Sequence, residues 1–255
     1  MRTNLAWLDC DSPLVASFGQ HRLREPLLTL AERAALDAAP WFAAIPLAIR
    51  RDIDRNCEVR TLRRGGAVYG PEAPGLCGIA SGAVGVRLHG PGSRVLDYLP
   101  AGTWILDPSA LAGGPPFMFL EAHPRATVVR LPCAVLGELL RRHPDAAPAM
   151  QALSYSAVRR LTPILEDLAR LPLRPRLARC VLRLCDSFGI PQPDGTRIAL
   201  ALNQDEIAHM LRASRQRVNI ELKSFEAAAA LRIGKQLVVC QRAALEAAAR
   251  HIHLS

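Results

Sequence analysis

The sequence predicts an α+β protein: an N-terminal β jelly roll or barrel, a long helix, and a C-terminal winged helix-turn-helix domain. Between Val59 and Leu131, short β-type runs alternate with Gly and Pro turns at the spacing of a compact all-β module. From Leu153 to Leu171, apolar side chains recur every three or four residues, as on one face of a helix. Between Leu202 and Val239, two short helix patterns precede a hairpin pattern.

These patterns divide the chain into an extension (1–35), a β domain (36–145), a long helix with a hinge (146–172) and a C-terminal domain (173–255). The extension shows little pattern before LLTLAERAALDAA, which predicts a helix. The next tract, LAIRRDIDRN, predicts a short amphipathic helix that lays Leu47, Ile49 and Ile53 against a core.

Charge and composition favour a nucleic-acid partner and exclude membrane proteins. The formal net charge is +9, and residues 173–255 carry 13 basic against 7 acidic residues. A localised positive excess suits a phosphate backbone. Because the sequence has neither a run of about 18 apolar residues nor a signal-peptide pattern, we expect a cytoplasmic protein. The seven scattered cysteines form no C-x-x-C pair, so we expect reduced thiols.

After a helix predicted over CAVLGELLRRH, a longer helix carries a near-heptad apolar seam. Its members are Leu153, Ala157, Leu161, Ile164, Leu168 and Leu171. This spacing favours pairing between two subunits through Leu153, Leu161, Ile164 and Leu168, although the seam could instead pack on its own domain. Pro163 should kink or restart the helix. Residues 172–175 are interpreted as a hinge, and RPRLARCVLRLCDSFG as the first helix of the C-terminal domain.

The C-terminal pattern specifies two capped helices. Asn203 can cap the first helix while Glu206, three residues later, returns a hydrogen bond to the cap, and Ser214 can cap the second. Two sets of side chains predict the buried faces: Ile207, Ala208 and Leu211, then Val218, Leu222 and Phe225.

The opposite face of the second helix is mostly polar and suits a DNA groove. It carries Arg215 on its flank and Gln216, Asn219, Ile220 and Lys223 facing outward. Arg217, Lys235 and Arg242 are candidate phosphate contacts. A helical hairpin that merely fills a core is the simpler alternative. The caps, the short joint, the polar face and the following hairpin together oppose it.

The order of parts resembles the Crp/Fnr superfamily of bacterial transcription regulators over residues 40–250. The stretches that carry the resemblance are LNQDEIAHMLRASRQRVNIELKSFE, LRIGKQLVV, WFAAIP, SGAVGVRL, LPAGTWIL and RATVVRLP. It implies a homodimer that binds a pseudo-palindromic site on double-stranded DNA, with RNA polymerase as a candidate partner. Ser214 and Arg215 then begin the recognition helix, Gln216 contacts a base, and Gln204 lies near a phosphate.

Two residues depart from the family pattern at this motif. Ile220 replaces an Arg that many members use as a second base contact, so an apolar side chain could touch a thymine methyl group instead. Arg212 occupies the turn position where Gly is usual. A left-handed backbone costs a non-Gly residue there roughly 1 kcal/mol.

The effector site departs further. Cyclic-nucleotide binders of the superfamily have Gly-Glu and a later Arg-Ser or Arg-Thr, but the equivalent tract here is AGTWILDPSALAGGPPFMF. Asp107 stands near the Glu position, and Pro116 and Phe117 near the Arg-Ser position. Without a cation for the phosphate, we expect cyclic AMP not to bind. Trp104, Leu106 and Phe117 then line an apolar pocket for an unknown effector, or are simply barrel core.

The sequence gives little support for a bound cofactor or for catalysis. An iron–sulfur cluster needs clustered N-terminal cysteines, but Cys10 stands alone, and a haem would have only His89 or Cys77 as its axial ligand. No metal site is expected, and no constellation of reacting groups predicts an enzyme. The rival function is a dimeric interaction or scaffold protein with a degenerate helix-turn-helix that does not bind DNA.

Overall fold

The computed structural model describes residues 28–69, 75–88, 93–112, 116 and 118–250. The chain divides into two compact units, an N-terminal unit (Met1–Pro91 with Leu99–Arg159) and a C-terminal unit (Gly92–Tyr98 with Arg160–Ser255). Within the described ranges, no helix is long and apolar enough to cross a membrane. The predicted α+β fold class is confirmed.

The first half of the chain alternates short helices with the strands of a six-stranded sheet. The helices are α1 (Leu30–Asp37), α2 (Pro40–Ala44), α3 (Leu47–Asn56), α4 (Ser109–Ala112) and α5 (Cys133–Arg142). The strands are β1 (Glu58–Leu62), β2 (Ala67–Tyr69), β3 (Gly75–Arg87), β4 (Asp97–Pro100), β5 (Trp104–Leu106) and β6 (Phe119–Pro132). The sheet order is β1-β6-β3-β4, with β2 on β6 and β5 on β3. The long strands β3 and β6 pair antiparallel from Gly75↔Pro132 to Arg87↔Phe119.

The N-terminal helices cover part of this sheet and build the core of the unit. The Trp104 indole Nε1 donates to the Leu36 carbonyl at 3.1 Å, and its ring stacks on Phe42 at 4.9 Å. Ile49 and Ile53 are buried as predicted, but Leu47, the first residue of α3, is largely exposed. The prediction for Leu47 was wrong because it lies about 200° from Ile49 around the helix.

A 3₁₀ turn (Pro144–Ala146) leads into the long helix α6 (Ala147–Arg170), which runs unbroken through Pro163. The helix therefore does not restart there. Proline removes one backbone donor but keeps a helical φ, and Leu161 and Ile164 are buried on either side of it. These buried contacts offset the lost hydrogen bond.

The predicted dimer seam is covered by its own chain. Leu153, Leu161 and Ile164 are buried, and Leu168 is half-buried. The periodicity correctly identified one apolar face of α6, but that face serves intramolecular packing, which was the alternative interpretation. Tyr155 and Leu165, which remain exposed on α6, lie outside this buried face.

Within the described residues, the C-terminal unit contains the second half of α6, four further helices and a small sheet. The further elements are α7 (Leu173–Phe188), β7 (Gly189–Gln192), β8 (Gly195–Ile198), α8 (Gln204–Met210), α9 (Arg215–Ala227), β9 (Leu231–Arg232), β10 (Val238–Val239) and α10 (Arg242–Arg250). The strand order is β7-β8-β10-β9. Because α7 begins at Leu173, the predicted hinge over 172–175 shrinks to Leu171 and Pro172. Pro175 fits the first turn of α7, where its missing N–H has no helical partner anyway.

A buried carboxylate joins the end of α6 to α7. The Asp167 Oδ1 accepts from Arg179 at 2.6 Å and its Oδ2 from Arg183 at 3.0 Å. Arg179 also donates through Nε to the Ala249 carbonyl of α10 at 3.2 Å. One carboxylate thus organises three helices of the C-terminal unit.

Candidate nucleic-acid interface

The first helix of the motif begins at a capping box. The Asn203 side chain accepts from the Glu206 backbone N–H at 2.9 Å, and the Glu206 carboxylate accepts from the Asn203 N–H at 2.8 Å. Ile207, Ala208 and Leu211 are buried, which confirms the predicted apolar face. The start and the orientation of α8 therefore follow from local sequence.

The joint between α8 and α9 contains a left-handed residue at the position that the family resemblance implied. Arg212 has φ 51°, and the backbone N–H groups of Arg212 and Ala213 donate to the carbonyls of His209 and Ala208 at 3.2 and 3.0 Å. This is a Schellman end with arginine in the position that glycine usually occupies. The two hydrogen bonds offset the roughly 1 kcal/mol of strain.

Helix α9 then starts at its predicted cap and buries its predicted face. The Ser214 hydroxyl accepts from the Arg217 N–H at 3.3 Å. Val218, Leu222 and Phe225 are fully covered. This burial determines which side of α9 can meet another molecule.

The outward side of α9 presents most of the predicted DNA-contact residues. Exposed are Ser214, Arg215, Gln216, Arg217, Ile220 and Lys223, while Asn219 is half-buried. Lys235, in the turn between β9 and β10, is also exposed. The fold therefore places these side chains within one unit, most of them on a single helix.

Two contacts from α8 hold polar groups of α9. The Gln204 Nε2 donates to the Asn219 Oδ1 at 3.0 Å, and the Arg215 guanidinium lies 3.4 Å from the Asp205 carboxylate. Gln204 was predicted near a phosphate, but its amide donor is directed at Asn219. Asp205 was missed, because an acid in the first turn of a helix is ordinarily explained by the helix dipole.

Arginines of α7 add positive charge beside α9 that sequence reasoning also missed. Arg174 donates to Glu221 and Ser224, both at 2.9 Å, and stacks over the Phe225 ring. Burial and the neighbouring Arg217 guanidinium lower the pKa of Arg176. Since Arg176 and Arg217 repel each other, an anion between them would be stabilised. No local pattern marks these residues, because the contacts span about 40 to 50 positions of sequence.

Arg242, a predicted phosphate contact, is paired with two half-exposed carboxylates in this structure. Its guanidinium donates to Asp186 at 2.6 Å and to Glu246 at 2.8 Å. The hydrogen bonds to these two carboxylates raise the pKa of Arg242 above its usual range. Glu246 lies one turn away on the same helix, whereas Asp186 comes from 56 positions earlier in the sequence, so only the second acceptor depends on the tertiary fold.

Among the predicted effector residues, Trp104, Leu106 and Asp107 are buried by the protein itself. Trp104 and Leu106 belong to the core under α1 and α2. Asp107 is fully buried, and its carboxylate accepts from the Ser109 N–H at 2.8 Å, the Ser109 hydroxyl at 2.6 Å and the Met118 N–H at 2.9 Å. Pro116 is half-buried, and Phe117 lies outside the described residues. Asp107 therefore shapes the loop after β5 instead of facing a ligand.

Of the candidate cofactor ligands, Cys77 lies among the described residues. Cys77 is buried in β3, and burial raises the pKa of its thiol to about 12. Such a group stays protonated and is a poor thiolate ligand. His89 and Cys10 lie outside the described residues. In the part of the chain that the structure describes, no cluster of three or more His, Cys, Asp or Glu side chains could hold a metal ion.

Sequence comparison supports the helix-turn-helix. Residues 175–248 match the family model of the Crp-like helix-turn-helix domain. The chain is also 33% identical over 84 residues to a global nitrogen regulator from Synechocystis sp.. That match covers 33% of this chain and only 37% of the regulator's length.

Structural comparison extends the likeness to most of the chain. FixK2 from Bradyrhizobium japonicum superposes with a TM-score of 0.64 and 17% identity, over 77% of this chain and 98% of FixK2. A transcriptional regulator of the CRP/FNR family from Thermus thermophilus gives a TM-score of 0.61 and 18% identity, over 76% of this chain and 99% of that regulator. At these identities the likeness shows a shared fold.

Proposed function

We propose that this chain is a cytoplasmic transcription regulator of the Crp/Fnr type that binds a pseudo-palindromic DNA site as a homodimer. Its residues 175–248 match the Crp-like helix-turn-helix domain, and its fold is similar to that of a CRP/FNR-family regulator. The observation that carries the proposal is the exposed polar side of α9. This side is preorganised, because the N-terminal cap of α9, its buried face and its contacts with α8 fix the orientation of the helix. Preorganised polar groups lose little entropy on binding.

The proposed mechanism places α9 in the major groove. Two copies would enter successive grooves about 34 Å apart, each with the N-terminal turn of its recognition helix against base edges. Arg215 and Gln216 lie in that turn and would contact bases. Arg217 and Lys235 would contact phosphates, and Arg176 would add charge beside Arg217. Releasing Arg215 from Asp205 would cost less than about 1 kcal/mol, since both side chains are more than half exposed.

A second copy of the chain would pair through the exposed side of α6. That side carries small or apolar side chains, with two polar ones, at strict heptad spacing: Gln151, Tyr155, Val158, Thr162, Leu165 and Ala169. Tyr155 and Leu165 are 64% and 41% exposed, which is high for large hydrophobic residues. A heptad stripe is the pattern that two parallel helices bury against each other.

Cyclic AMP is not proposed as the effector. Asp107 already accepts three hydrogen bonds from its own loop, and the tract offers no cation for a cyclic phosphate. A calorimetric titration with micromolar affinity would contradict this. RNA polymerase is proposed as a partner on the family resemblance alone.

DNA binding is tested by fluorescence anisotropy with the full chain on a selected site and on random duplex. Arg215→Ala should weaken binding to the selected site by about 1–3 kcal/mol and relax base preference, with little change on random DNA. Arg250→Ala, which removes an exposed arginine of α10 in the same unit, is the control. Equal losses on both duplexes would remove Arg215 from base contact. Absence of salt-dependent binding to any duplex would favour the scaffold alternative.

A further inference from the structure

One apolar side chain interrupts the polar side of α9. In this helix, all of whose residues the structure describes, Ile220 is the large hydrophobic residue that remains exposed, at 59%. Its neighbours one turn away on the same side, Gln216 and Lys223, are exposed and polar. An isolated apolar group on the surface proposed to meet DNA needs an apolar counterpart there.

The residues around Ile220 limit which apolar group of a partner it can contact. Asn219 is bonded to Gln204, and Arg215 lies beside Asp205, so α8 restrains the polar groups nearby. Isoleucine is β-branched and keeps essentially one χ1 rotamer in a helix. Ile220 therefore presents a branched apolar surface, restricted at χ1, that can contact a methyl group.

Among the base edges of the major groove, the thymine 5-methyl is the apolar group. Guanine, adenine and cytosine present hydrogen-bonding atoms, which isoleucine would desolvate without replacing their partners. We infer that Ile220 is a specificity-determining residue that selects thymine by contact with its 5-methyl group. The inference rests on the proposed function, because it requires α9 to lie in the major groove.

Replacing thymine by deoxyuridine tests this contact directly, because it removes the methyl and keeps the Watson–Crick hydrogen bonds. A site is first selected from a random duplex library with the full-length protein, and each thymine is then replaced singly. At one position of the half-site, deoxyuridine should weaken binding about fourfold, the equivalent of ~0.8 kcal/mol for a methyl-sized group. Replacing both symmetric positions should cost about sixteenfold, because distant sites are additive.

Ile220→Ala supplies the second arm of the cycle. In that variant the same deoxyuridine should cause no further loss, whereas in Gln216→Ala, the control one turn away, the fourfold loss should persist. Ile220 is exposed, so the alanine variant should fold; an unchanged melting temperature checks this. Ile220→Arg should shift the preference at that position from T·A to G·C, since arginine pairs with guanine O6 and N7.

The outcomes separate the inference from the proposed function. If deoxyuridine weakens binding equally in the wild type and in Ile220→Ala, or if no thymine of the selected site affects binding, the thymine assignment is wrong. DNA recognition itself would still stand. Failure to enrich any sequence overturns the proposed function itself, and the assignment with it.

Discussion

Replacing Asp167 by alanine should destabilise the C-terminal unit more than any exposed charge substitution nearby. The carboxylate is 4% exposed and accepts hydrogen bonds from two guanidinium groups. Charge-assisted hydrogen bonds contribute roughly 1.5–3 kcal/mol each, and removing one partner of a buried ion pair costs about 3–5 kcal/mol.

The partial exposure of the two arginines makes the expected loss smaller than about 3–5 kcal/mol. The side chains of Arg179 and Arg183 are 40% and 30% exposed, so water can solvate both charges once the carboxylate is gone. We therefore expect a loss of about 2–3 kcal/mol in the free energy of unfolding. Asp167→Asn should lose nearly as much, because the amide keeps an oxygen acceptor but carries no charge.

Urea unfolding followed by far-UV circular dichroism measures the loss, and hydrogen exchange on peptides from α7 locates it. The matched control is the adjacent Glu166→Ala, which removes an exposed pair with Arg170 and should cost no more than about 0.5 kcal/mol. If Asp167→Ala costs no more than this control, or if α7 exchanges as slowly as before, the carboxylate does not organise the unit.

Two further predictions concern the N-terminal unit and the proposed dimer. In Glu32, hydrogen bonds from the Ser81 hydroxyl and then the Thr29 N–H lower the pKa to about 2, so its stabilising contribution is present above about pH 4.5 and is lost as the pH falls toward 2. Glu32→Gln should remove this acid dependence, which we expect to be about 1 kcal/mol because the carboxylate is solvent-screened. Urea titrations at pH 6 and pH 3 measure it. An equal difference in the free energy of unfolding between wild type and variant at both pH values would contradict the prediction. On α6, Leu165→Glu should raise the dimer dissociation constant at least about 100-fold, from roughly 1.5 kcal/mol lost in each copy. Sedimentation velocity measures this, with Arg142→Glu on α5 as the control, and a dimer that resists Leu165→Glu would place the interface elsewhere.

The recognition motif was predictable because its determinants are local. The Asn203 cap and its Glu206 partner lie three residues apart, and the buried face of α9 repeats within two turns. The left-handed turn at Arg212 was implied instead by the family resemblance, in which Gly is usual at that position. Hydrogen bonds and faces of this kind depend on neighbours a few residues away, which the sequence displays directly.

The long helix shows where this reasoning stops. Heptad spacing identified an apolar face through Leu153 and Leu161, but spacing does not reveal whether a neighbour in the same chain or a second subunit covers that face. The fold buries it, and a neighbouring stripe of α6 through the exposed Tyr155 and Leu165 becomes the candidate for pairing. The effector tract was ambiguous for the same reason, since Trp104 could line a pocket until Leu36 and Phe42 were seen to cover it.

The sequence by itself therefore determined the order of the parts, the N-terminal caps of α8 and α9, and the side of α9 that remains exposed. Tertiary structure decided which charges are available and which apolar faces are already covered. Arg215 and Arg242 look alike in the sequence, yet one has a single loose partner and the other is held between Asp186 and Glu246. The physical reason is that a side chain's solvation depends on groups brought close by folding, often from residues 50 or more positions away.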